Sequence, residues 1–125
     1  MTTKTAIVIL SDPTTGEESL GRAFNALAVA HELDAAGNDV VVHFSGTGTR
    51  WPEVLTDPTH PLHGLFEAVR HTVKGASCGC AELFGATEGV KAGGMTLIAD
   101  NAIAGTSGVA SVRPLLDAGY ALISF

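Results

Sequence analysis

Ala6-Ile-Val-Ile-Leu10 runs straight into Ser11-Asp12-Pro13, and that junction decides the fold. Five apolar residues without alternation fit a strand buried on both faces, the habit of parallel sheets sandwiched between helices. The polar turn with its proline ends the strand. A helix is expected over 17–36, halted by Gly37 and Asn38. Residues 39–44 are again rich in β-branched side chains and read as a second strand, closed by the glycine-rich loop 45–49.

The alternation continues. A polar connection carries Trp51, Pro52, Pro58 and Pro61, and then Leu62, Leu65, Phe66, Val69 and Val73 recur at helical spacing, with Gly75 beyond them. A short third strand is expected over 76–78. A helix over 80–92 follows, with Gly85 and Gly89 breaking it into two pieces. A fourth strand is expected over 95–99, a polar loop over 100–108, a helix over 109–118 and a last strand over 121–125. Pro114 fits only the first turn of that helix. Strands alternating with helices predict a three-layer α/β/α domain around a mainly parallel five-stranded sheet.

The chain has 125 residues, enough for the single domain read over 1–125. Its 46% hydrophobic and 16% charged composition excludes disorder and points to a surface partly covered by another subunit. The net charge of −6, with only seven Lys and Arg, excludes a generic nucleic-acid partner and an anionic membrane surface. The opening apolar run is too short for a signal-peptide core or a membrane span, which makes the cytoplasm the expected location. In a reducing compartment Cys78 and Cys80 are expected as thiols, not as a structural disulfide.

The first helix carries two apolar stripes. Leu20, Phe24, Leu27 and His31 form one, and Ala26, Val29, Leu33 and Ala36 lie almost opposite. Either a neighbouring helix or a second subunit would account for the extra face.

Ligands of parallel sheets bind beyond the carboxyl ends of the strands. The loops there are 11–19, 45–50, 78–80 and 100–107, all small and polar, and they are expected to converge on one cleft. Cys78 is read as ending a strand and Cys80 as opening a helix, where unpaired backbone N–H groups favour a thiolate. Cys80 is therefore the expected reactive thiol and Cys78 its supporting one. An alternative reading has the pair hold a soft metal with His60 and His63 folded over it, although those histidines also suit a solvated turn. His31 and His43 read as packed side chains and His71 as a solvent-facing one. Gly46-Thr-Gly48 lacks the remaining residues of a dinucleotide or phosphate loop, and no nucleophile elbow for a serine hydrolase is present. Arg50 reads as an exposed arginine preceding a packing tryptophan.

Leu10-Ser-Asp-Pro13 with Glu17 and Arg22-Ala-Phe-Asn-Ala-Leu27, then Gly37-Asn-Asp-Val-Val-Val42, the cysteine loop 78–80 with Gly85, and Leu122-Ile-Ser-Phe125 together resemble the DsrE/DsrF-like family. The resemblance spans essentially the whole chain. It implies a three-layer domain assembling into trimers or hexamers, and a cysteine that relays sulfur as a persulfide between donor and acceptor proteins. Family members with paired cysteines show Cys-Gly-x-Cys, a basic residue and glycine. Here the pair is one residue shorter, and Phe84 stands where the basic residue is usual. Counting back from Gly85 sets Cys80 on the second family cysteine. The expected function is a cytoplasmic sulfur carrier without a bound cofactor. A small-ligand-binding oligomer and a thiol redox or metal-binding protein are the rival readings.

Overall fold

The computed structural model describes residues 2–125. Five strands, β1 (Lys4–Ile9), β2 (Asp39–Phe44), β3 (Val73–Ser77), β4 (Leu97–Ile98) and β5 (Ala121–Ser124), form one sheet. Their order is β4-β3-β2-β1-β5, and every neighbouring pair is parallel. The helices are α1 (Glu17–Ala35), α2 (Trp51–Leu55), α3 (His63–Val69), α4 (Cys78–Leu83), α5 (Thr87–Ala92) and α6 (Arg113–Asp117). This is the three-layer α/β/α architecture expected from the alternation.

The two outer layers differ greatly in thickness. From β1 to β4 each step across the sheet goes the same way, so right-handed crossovers put α1 to α5 on one face. Ile7, Ile9, Val42, Phe44 and Ala76 point to that face and share one core with Leu27, Leu55, Phe66, Val69, Ala81 and Val90. Only the return from β4 to β5 runs the other way and covers the opposite face. Ala6, Val8 and Ile98 are buried there, outside the main core. The cover is slight: α6 buries none of its side chains, and β5 is exposed along its length.

Helix α1 settles the question of its two stripes. Its buried residues are Ser19, Ala23, Ala26, Leu27 and Ala30. At about 100° per residue these lie between the stripes, which are therefore the two shoulders of one face. Small residues at the centre let the helix approach the sheet closely, while Leu20 and Val29 pack at its flanks. Phe24 remains 52% exposed.

Several boundaries differ from the sequence pattern. The periodicity of residues 62–73 ends at Val69, after which a 3₁₀ turn over Arg70–Thr72 delivers Val73 to the sheet, paired with Val42. β-Branched Val73 suits both periods, and the ladder claims it. Strand β3 consequently ends at Ser77, and Cys78 becomes the first residue of α4. The glycine-rich segment after β2 is a 3₁₀ turn over Gly46–Arg50 that leads into α2, with Pro52 in the first turn. The expected break of the 80–92 helix falls at Gly85, at φ +69. The last helix shrinks to five residues with Pro114 in its first turn, and the fourth strand to two.

Candidate functional site

Both cysteines stand in the first turn of α4, immediately beyond the carboxyl end of β3. Ser77 is the residue that precedes the helix, with extended backbone. Both thiols are free and half-buried. Residues two apart on a helix leave it on different sides, so the pair diverges.

The return crossover fastens onto this turn. Gly79 donates its backbone N–H to the Gly108 carbonyl at 2.7 Å, and Ala110 donates its own to Ser77 Oγ at 3.0 Å. The glycine of Cys-Gly-Cys thereby has a packing role. A β-carbon at position 79 would lie 3.0 Å from the Gly108 oxygen and 3.1 Å from Val109 Cγ1. The first-turn N–H of Gly79 is thus already committed to a protein acceptor.

Among the described residues, this end of the sheet is bordered by more than the single cleft expected. The first, about 250 Å³, is lined by Pro13, Thr14, Thr49, Arg50 and Glu53 with the α4–α5 junction at Gly85. The second, about 520 Å³, lies between α4 and the crossover, with Gly79, Glu82, Leu83, Gly105, Thr106 and Ser107 around it. The loops after β1 and β2 serve the first cleft. The cysteine turn, through Gly79, and the loop 100–107 serve the second, which α4 borders; the first meets only the α4–α5 junction.

Arg50, read from the sequence as a bland surface residue, is a strut. Its Nη1 pairs with Asp12 Oδ2 at 2.7 Å, its Nε donates to the Phe84 carbonyl at 3.2 Å, and its guanidinium lies 5.7 Å from the centre of the Phe84 ring. It ties the loop after β1 to the end of the cysteine helix. The Thr14 backbone N–H, bonded to Asp12 Oδ1, is the main cause holding the Asp12 carboxyl below its ordinary range. The Thr14 hydroxyl and Arg50 act in the same direction, against the effect of burial. Trp51 packs as expected, and its buried Nε1–H donates to the Ser11 carbonyl at 2.7 Å. No spacing rule announces the Asp12–Arg50 pair, because its partners are 38 residues apart.

The histidines separate. His60 Nδ1 accepts the Leu62 N–H at 3.0 Å, and His63 Nδ1–H donates to the Leu55 carbonyl at 2.8 Å, so both serve the turn between α2 and α3. His71 Nε2 meets Asp34 Oδ2 at 2.9 Å in an exposed pair. Among the described residues, no three His, Cys, Asp or Glu side chains gather as metal ligands. His43 is packed, as expected of a histidine inside a strand. The unexpected part is that neither ring nitrogen has a hydrogen-bond partner.

No family model, curated protein or solved structure matches the chain. Among the described residues, no helix is long and apolar enough to cross a membrane.

Proposed function

We propose that the protein is a cytoplasmic sulfur carrier of the DsrE/DsrF-like type, holding sulfane sulfur as a persulfide on the Cys-Gly-Cys helix. The observation that carries this reading is the placement of both free thiols in the first turn of α4, beyond the carboxyl end of β3, a turn whose Gly79 lines a cleft. In the proposed step a Cys80 thiolate attacks the outer sulfur of a donor persulfide, R–S–SH. The donor S–S bond breaks, R–S⁻ leaves and takes up a proton, and Cys80 carries –S–SH with no net oxidation. An acceptor thiolate then removes that sulfur in the same way.

Cys80 keeps the carrier role on its spacing to Gly85, which the family resemblance supplies. The helix-opening position belongs to Cys78, the supporting thiol. Divergence of the two side chains weighs against the rival reading as a redox or chelating pair. Assembly into a homo-oligomer, a trimer or hexamer by the resemblance, is part of the proposal. The exposed Phe24, Leu83, Leu116, Leu122 and Ile123 support it.

Mass spectrometry after treatment with polysulfide tests the carrier role. A gain of about 32 Da on Cys80, retained in Cys78→Ser and lost in Cys80→Ser, is expected. No gain on either cysteine overturns the reading in favour of a ligand-binding module. Light scattering that gives 12.8 kDa at high concentration removes the oligomer.

A further inference from the structure

His43 is 1% exposed, and both of its ring nitrogens lack a partner. It pairs in the sheet with Val8 on one side and Gly75 on the other, and so shares their face with Ser77, two residues further along β3. That is the face opposite α1 to α5. The path of the return crossover over it is fixed at two points. At β3, Ser77 Oγ holds the Ala110 N–H; at β1, Lys4 Nζ donates to the Ala118 carbonyl at 3.2 Å. Lys4 lies on the same face as Ala6 and Val8 by strand alternation. Residues 110–118 therefore run from β3 to β1 across β2, over His43.

We propose that His43 is the latch of this crossover: neutral, it seats residues 99–120 on the sheet, and on gaining a proton it releases them and opens the cleft beside the Cys-Gly-Cys helix. The inference is independent of sulfur carriage. It stands on the burial, the missing partners and the path of the chain.

The surrounding charges are few. Lys74, next to Gly75 in β3, disfavours a proton on His43 by its charge, while Asp100, just after β4, favours one. Lys4, at the far end of β1, is engaged with Ala118, and Arg113 and Asp117 of α6 pair with each other at the surface at 3.5 Å. No neighbour from β1 level with His43 is charged, since that position is Val8. Burial dominates and holds the imidazole below its ordinary value. An imidazolium enclosed without an acceptor is far more costly than the neutral ring. Lifting the crossover relieves it at the least expense, because residues 99–107 and most of α6 are exposed and form few buried contacts. Release breaks the Ala110–Ser77 and Gly79–Gly108 bonds together.

Amide hydrogen exchange followed by NMR, expressed as protection factors, tests the latch. In the native protein the Gly79 and Ala110 amides are expected to lose protection by about tenfold per unit of pH below 6.5, while Leu27 and Ala30 of α1 keep theirs. His43→Leu and His43→Phe are expected to abolish that dependence. The native His43 ring, titrated by NMR, should take up its proton only at the lower pH where this protection is exhausted, a readout that needs no variant. Unchanged protection at acid pH overturns the latch. So does the same loss in both variants, which assigns the effect to a group other than His43, and so does a parallel loss in α1, which is global unfolding.

Discussion

Gly108 accepts the backbone N–H of Gly79 at 2.7 Å, so the crossover is bolted to the cysteine helix through two glycines. Gly108 sits at φ +90, and a β-carbon there would come 2.7 Å from the Ala99 carbonyl oxygen. Gly108→Ala is expected to cost about 2 kcal/mol, from backbone strain plus the clash. Urea unfolding should show a lower midpoint at unchanged slope. Gly79→Ala should lose less, because an alanine in a helix regains up to about 1 kcal/mol against its closer contacts.

Trp51 offers a second test, on the core beneath the first cleft. Trp51→Phe removes the indole donor to Ser11 and leaves a void beside Leu55. The expected cost is about 2–3 kcal/mol, combining a buried acceptor left unpaired with lost contact volume. As the sole tryptophan, the native side chain reports the unfolding of the native protein by its fluorescence, blue-shifted when folded and red-shifted when unfolded, and the variant is followed by circular dichroism.

Asp12 gives the acid limb of the stability profile. Its folded carboxyl lies below the ordinary value, so the stabilisation is complete above about pH 4 and disappears as pH falls through the folded value. Asp12→Asn keeps an acceptor for the Thr14 N–H and loses the charge opposite Arg50. The Arg50 side chain is 35% exposed and that of Asp12 14%, so solvent screening limits the cost at neutral pH to about 1 kcal/mol. Urea midpoints of the two proteins should converge by about pH 2.

Mild oxidation tests the divergence of the thiols. Cys78 and Cys80 share one helical turn without facing each other. Diamide is expected to yield mixed or intermolecular disulfides while α4 is intact. An internal cystine, lighter by about 2 Da on one chain, should appear only in urea. Its ready formation in the native protein would restore the redox reading.

The sheet was legible because Ala6 to Leu10 and residues 39–44 have one period only. Boundaries were not, wherever a residue suits two periods. Val73 continues a helical stripe and also fits a ladder, and its choice of the ladder moved Cys78 from strand end to helix start. The two stripes of α1 misled for a related reason: periodicity weighs large apolar residues, whereas the contact with the sheet is made largely by alanines. Within the site, the cysteine turn followed from local sequence. The Asp12–Arg50 strut depends on contacts between distant segments, and local patterning holds no trace of it; His43 reads as packed from its place in a strand, whereas the lack of partners for its ring does not.

The pairing of Thr5 to Val8 with Ala121 to Ser124 joins an early stretch of the chain to a late one. During synthesis β1 emerges long before its second neighbour, so one flank of its backbone stays without partners while β2, β3 and β4 are already available. The apolar side chains Ala6 and Val8 are open to water over the same interval. A nascent chain halted before Tyr120 therefore presents a bare strand edge above an uncovered sheet, a template for association with other unfinished chains. The arrival of residues 121–124 is what closes that edge.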